Sequence, residues 1–296
     1  MVTGGLPLPV LVAFAALTLA LAAAWMPGRA APGGTAWWWL PPFLVSLAAA
    51  YAGGLVEWQG VAAVALLAAS CRAARTAAGR IVRAAAHTVM LLTAALLLAH
   101  LAPGFDNPLV VDEAVLGPGA SPYTKYLNLD KGIAGLLLLA VYAPELPLTD
   151  EGHRHVTGIL WRFAAMTGAA LALAFALGYV RFDPKLPGWW PMWTWSMVFL
   201  TALPEEAVFR GLLQTWLARA FRGTPHGVLL ACVAGGILFG AAHAAGGAAY
   251  VLLAAVAGIG YGWIFASTRS IGAAIAAHAG LNAVHFLFFS YPALSR

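Results

Sequence analysis

The chain has 296 residues, of which 62% are hydrophobic and 9% charged, and its net charge is +5. Soluble domains carry roughly 25% charged residues, so a mean hydropathy of +0.83 excludes an ordinary soluble enzyme and makes lipid the solvent. Most of the positive charge sits on arginines of short loops, which marks topology in a lipid bilayer and excludes a basic nucleic-acid-binding face.

A spanning helix needs about 20 mostly apolar residues. In chain order the candidate runs are 6–26, 37–54, 57–71, 85–102, 132–147, 160–180, 189–204, 226–243, 248–266 and 271–290. The first lacks a basic leading region and reads as a retained span, not a cleaved signal peptide. The second and third read either as one long span or as a hairpin. Between the fourth and fifth lies the long polar stretch 103–131, rich in Pro, Gly and Asp, expected as an irregular cap over one membrane face. Gly/Ala-rich runs near 231–260 suit close helix packing through small residues. The expectation is an all-α fold: a polytopic transmembrane helical bundle with about ten spanning helices. Residues 1–150 form an N-terminal set of transmembrane helices with the extracytoplasmic loop near 103–131, and 151–296 form a second unit.

Arginine asymmetry orients the bundle. Arg72, Arg75, Arg80 and Arg83 crowd one short loop, which is placed in the cytoplasm. The loop 103–131 then lies outside. Alternation puts His153, Arg154 and Arg162 inside, Arg181–Lys185 outside, and Arg219, Arg222 and Arg269 inside. Tryptophans at 37–39 and at Trp189, Trp190, Trp193 and Trp195 read as an interfacial aromatic belt. Cys71 and Cys232 lie in apolar runs and are expected as core or lipid-facing residues, not a disulfide or a metal site.

Ionisable groups inside a membrane cost about several kcal/mol each and usually mark function. The last hundred residues hold Glu205, Glu206, Arg210, His243, His278 and His285, with Asn282 as a polar companion. Glu206 and Arg210 are four apart and share a helical face, so they can pair. Glu205 points elsewhere, which leaves it as an unpaired carboxylate and a candidate general base. Pro204 predicts a break or kink at 203–204. His278 and Asn282 share one side of the last helix, and His285 continues that stripe. Single intramembrane histidines often serve only as interhelical hydrogen-bond glue; their concurrence with a free glutamate points to chemistry.

The stretches "EEAVFR" at 205–210, "FGAAH" at 239–243 and "HAGLN" at 278–282 resemble the ordered motifs EExxxR, FxxxH and HxxxN of the CPBP family. That family is the Abi or type II CAAX prenyl endopeptidase-like group of intramembrane proteases. The resemblance covers about 190–290, and the first 150 residues carry no motif. It implies that 151–296 is a protease core, that Glu205 and His243 activate water, and that His278 and Asn282 hold the oxyanion. Glu206 and Arg210 would be a structural ion pair. His285 falls outside the motif and is assigned to packing.

The function so implied is an intramembrane glutamate-dependent endopeptidase acting on a membrane-associated protein or peptide substrate. Family members are associated with prenylated CAAX proteins, bacteriocin self-immunity and processing of sorting signals. The Ala/Gly/Arg-rich composition and compact loops suggest a multi-pass protein of a bacterial inner (plasma) membrane. No cofactor is expected. Glutamate and histidines could hold zinc, but there is no HExxH and the donors are spread over separate helices, so a metal-free mechanism is favoured and zinc is kept open. The alternative class is a non-catalytic membrane protein: a proton-coupled transporter, or a partner-binding or immunity protein. Asn282 discriminates between the two classes, because it cannot relay protons yet suits an oxyanion site.

Overall fold

The computed structural model describes residues 5–25, 37–142 and 156–295. The expectations that fall on 143–155, including those for His153 and Arg154, the end of the fifth run and the boundary at 150, lie outside the described residues.

Helices α1 (Leu8–Trp25), α2 (Leu40–Ala52), α3 (Trp58–Thr76) and α4 (Arg80–Leu98) follow the first four predicted runs. Helix α2 ends where Gly54 takes a positive φ of 74°, so α2 and α3 are separate helices and not one span. Helix α5 (Leu129–Leu137) continues as the π-helical turn Leu138–Tyr142. Next come α6 (Val156–Ala176), the helical run 190–220, here α7, then α8 (Gly227–Ala241), α9 (Gly247–Thr268) and α10 (Ile271–Phe288). Among the described residues, four helices are long and apolar enough to cross a membrane by themselves: α4, α6, α9 and α10. Helices α1 and α8 are apolar but shorter. Length and hydropathy do not carry the count to ten, because α2 has only 13 residues and α3 carries Arg72 and Arg75 within its last turns.

The stretch 103–131 is not irregular throughout, and the fold is not purely helical. Strands β1 (Leu109–Ala114) and β2 (Tyr123–Tyr126) pair antiparallel. The segment "LVV" and the "YTKY" alternation supply strand-forming residues on either side of the turn-forming "GPGA". Isolated bridges join Val56 to Phe105, Ala120 to Leu294 and Phe182 to Phe289. The stretch 103–131 is thereby joined to the α2–α3 turn through Phe105 and to the C-terminal residues through Ala120, and the segment after α6 is joined to the end of the last helix through Phe182.

The end of the bundle away from these bridges gathers arginines. Arg75 donates to the Val141 carbonyl at 3.5 Å. The His87 ring meets the Tyr142 hydroxyl at 3.0 Å, with Trp216 packed edge-on against both rings. Arg219, Arg222 and Arg269 line one recess there. The cap thus lies at one end and Arg75, Arg219, Arg222 and Arg269 at the other, while Arg181 packs beside Gly119 at the cap end, the segregation that the alternation of inner and outer loops predicts.

One hydrophobic cluster runs from Val10 to Tyr291 and takes in α1–α5, α7 and α10. A smaller one joins α6 to α9 and α10. Close packing of α8 on α9 depends on glycine: a Cβ on Gly236 would come within 2.4 Å of Ile259 Cγ1, and one on Gly240 within 2.6 Å of the Val251 carbonyl. Both cysteines are free and buried. The aromatic belt needs correction. Trp37, Trp38 and Trp190 are exposed, but Trp39 and Trp193 are core residues, the latter stacked on Phe286 with centroids 4.1 Å apart.

Candidate active site

Helix α7 starts at Trp190 and does not break at Pro204. Its joints at Met197, Ala202, Glu206 and Gln214 all keep right-handed helical torsions. Proline lacks an N–H and its ring crowds the carbonyl one turn back. Here the π-helical turn Val198–Ala202 immediately precedes it, and a second π-helical stretch, Ala207–Gln214, follows the glutamates. The widened turns take up what a kink would otherwise absorb. The unbroken run is about 45 Å long at roughly 1.5 Å per residue, so Glu205 falls near its middle. Its place at the middle of the run therefore comes from helix continuity, where a break or kink at 203–204 was expected.

The two glutamates diverge as helix geometry demands. Glu206 and Arg210 are both fully buried, with Oε2 and Nε 3.0 Å apart. That approach is an ion pair, though its angle does not make a hydrogen bond. Arg210 also donates to the Gly258 carbonyl at 2.5 Å and lies over the rings of Phe239 and Tyr261 at 5.0 and 5.4 Å. One turn on, Gln214 donates to the Gly262 carbonyl at 2.9 Å. These two side chains clamp α7 to α9.

Glu205 is 7% exposed. Its Oε2 lies 4.0 Å from His243 Nε2 and 3.9 Å from His278 Nε2. The expectation of an unpaired carboxylate is overturned: Oε1 accepts a hydrogen bond from Lys131 Nζ at 3.1 Å. Lys131 stands in the first turn of α5, in the N-terminal half. Small residues let α5 come close enough. A Cβ on Gly132 would meet Leu17 and Leu200 at 2.8 Å, and one on Gly135 would meet Leu203 and the Pro204 backbone at 2.8 Å.

Both histidines have Nδ1 occupied. His243 Nδ1 contacts the Phe239 carbonyl at 2.7 Å, and a carbonyl only accepts, so the proton is on Nδ1. His278 Nδ1 contacts Glu206 Oε1 at 2.8 Å, and the His278 ring stacks on Tyr261 at 4.6 Å. Both Nε2 atoms therefore face Glu205. Asn282 lines the same cavity, but its amide is turned to Met197 Sδ at 3.2 Å and makes no bond to Glu205 or His278. His285, assigned to packing, also lines the cavity; its Nε2 donates to the Ser290 carbonyl at 3.2 Å.

The cavity holds about 820 Å³ and opens at the capped end, walled by the β-ribbon and by α5, α7, α9 and α10. That volume is within the usual range for ligand sites. A smaller recess of about 90 Å³ adjoins it between α6, α9 and α10, lined by Leu171, Leu253 and Leu281 beside His243 and His278.

Sequence reasoning missed Lys131, Lys125 and Tyr261. Lys131 was hidden in a polar loop, although "LNLDKGIAGLLLLA" carries a helix start at Asn128, with Asp130 in the first turn, followed by an apolar run. That places its lysine at the membrane boundary. Zinc would call on Glu205, His243 and His278. The Lys131 ammonium against the carboxylate opposes a second cation there, and among the described residues no three His, Cys, Asp or Glu side chains are grouped as a metal site.

Residues 187–284 match the family model described as type II CAAX prenyl endopeptidase Rce1-like. This agrees with the family resemblance of the three motifs, all of which fall inside the matched stretch; Lys125 and Lys131 fall outside it. No curated protein and no solved structure matches the chain.

Proposed function

We propose that the protein is an intramembrane endopeptidase in which Glu205 is the general base. The supporting observation is the convergence of one carboxylate oxygen on two histidine Nε2 atoms at 3.9 and 4.0 Å, inside an open polar cavity of a membrane protein. The gap is too long for direct hydrogen bonds and fits one bridging water. In the proposed step Glu205 takes a proton from that water with His243 orienting it, and the hydroxide adds to the scissile carbonyl. The proton then passes to the leaving amine. Donors at His278 Nε2 and at the Asn282 amide stabilise the oxyanion. With Nδ1 donating to Glu206, an Nε2 donor means the doubly protonated ring, and Glu206 is its counter-ion. Asn282 reaches the site by turning its amide away from Met197.

Lys131 holds Oε1 so that Oε2 faces the histidines. On this reading 151–296 is the catalytic core, and the N-terminal 1–150 supply the cap and Lys131. The mechanism is proposed as metal-free. The substrate is a membrane-associated protein or peptide, the name of the matched family makes a lipidated one a candidate, and the compartment is a bacterial inner membrane. Because the cavity opens at the end away from the arginines, the substrate enters from the extracytoplasmic face.

The test is cleavage of quenched fluorescent peptides, lipidated and unlipidated, by the purified protein in proteoliposomes. Glu205→Gln and Asn282→Ala should each abolish or strongly reduce cleavage without loss of folded protein. Proton transport that survives Asn282→Ala, with no cleavage by the wild type, would establish the relay alternative instead.

A further inference from the structure

Strand β2 alternates, and its inward side chains are those of Tyr123 and Lys125. Lys125 is 8% exposed and lines the cavity beside Lys131 and Glu205. Among the described residues its ammonium makes no ion pair and no side-chain hydrogen bond. The charges that act on it are Lys131, which repels it, and Glu205, which attracts it. Glu205 is already engaged by Lys131 at 3.1 Å, and Asp130, buried next to Lys131 in the chain, is engaged by His100 at 2.7 Å. Asp106 also lines the cavity but forms no ion pair with Lys125. Burial, first, and the Lys131 charge, second, push the Lys125 ammonium down to about 8. A buried cation without a partner is unfavourable unless an anion joins it.

We propose that Lys125 is an anion-recognition subsite of this cavity, taking a carboxylate of the peptide substrate. The proposal rests on the endopeptidase reading. It adds that cleavage is directed to bonds near a carboxylate, which is either the peptide's C-terminus or an Asp or Glu side chain.

The experiment measures binding, so it does not depend on turnover. Three probes are titrated into the full-length protein in detergent: acetyl-Ala-Leu-Leu-Ala acid, its C-terminal amide, and the amide of the same peptide with Glu in place of one Leu. The wild type should bind the acid, the Glu-containing amide or both, and the plain amide at least about ten-fold more weakly. Lys125→Met, similar in shape, should lose that preference while its Tm rises, which shows that lost binding is not lost folding. Preference for the acid identifies a C-terminal carboxylate, and preference for the Glu-containing amide identifies a side chain. Equal binding of all three probes, binding of none, or a preference that survives Lys125→Met overturns the proposal. A Lys125-dependent preference with no peptide ever cleaved would leave the subsite standing and remove the endopeptidase reading. Cleavage with a KM indifferent to Lys125→Met would do the reverse.

Discussion

Lys131 Nζ and Glu205 Oε1 stand 3.1 Å apart, which ties a residue of the N-terminal half to the proposed base. The two are brought together by Gly132 and Gly135, which let α5 lie against α7 at Pro204. The pair fixes one carboxylate oxygen and leaves the other to the histidines. Lys131→Met should lower kcat by about 10- to 100-fold, the scale expected when a reacting group is displaced by about 1 Å, with KM changed little. Lys131→Arg should restore part of it. A Lys131→Met enzyme with wild-type kcat would show that the pair is incidental.

Gly135→Val tests the same contact from the backbone side. The added Cβ would meet Pro204 at 2.8 Å, which forces α5 away and draws Lys131 from Glu205. Small-to-large changes in tight packing cost about 1–3 kcal/mol. The variant should show a lower Tm together with the kcat defect of Lys131→Met. A Tm loss with unchanged kcat would separate packing from positioning.

The three motifs were legible because they bring rare charge into apolar helices, and helix periodicity alone sorted Glu206 with Arg210 and Glu205 away from it. Lys131 and Lys125 were not legible as site residues. Their approach to Glu205 depends on the packing of α5 and on the strand register at β2, and neither is written in local periodicity. Pro204 misled in the opposite direction: its local preference for a break was overridden by π-helical turns that tertiary packing stabilises. The β-ribbon was hidden by the Pro and Gly that mark its turn, which dominate the composition of a stretch whose strands are short.

Removal of metal discriminates between mechanisms. The active protein should keep its cleavage rate after exhaustive treatment with a strong chelator, because the Lys131 ammonium already occupies the electrostatic place of a cation beside Glu205. Stoichiometric zinc whose loss and restoration track activity would overturn the metal-free account.

Glu206 has two duties, pairing with Arg210 at 3.0 Å and holding His278 Nδ1 at 2.8 Å. Glu206→Gln leaves Arg210 buried without its counter-charge, which costs about 3–5 kcal/mol when one partner of a buried pair is removed. It also frees the His278 ring to turn. Both Tm and cleavage should fall, whereas Glu205→Gln should remove cleavage and leave Tm nearer wild type. The reverse pattern would exchange the roles of the two glutamates.

Lys125 gives a pH signature whose sign is fixed by burial. Its ammonium titrates at about 8 in the fold against an ordinary value of 10.5. Between those values the unfolded chain holds a proton that the native state has lost, so this group's contribution makes stability rise with pH from about 8 to 10.5. Below about 8 the native state bears the full cost of the buried charge, at most about 3 kcal/mol. Other ionisable groups line the same cavity, Lys131, His100 and Glu205 among them, so the wild type alone does not isolate the effect. The difference between wild type and Lys125→Met does. At pH 7 the Met variant should have the higher Tm, and the gap should narrow steadily as pH is raised through 8 toward 10.5. A gap that is constant across that window, or that widens, would mean that Lys125 enters the folded state with its charge already compensated.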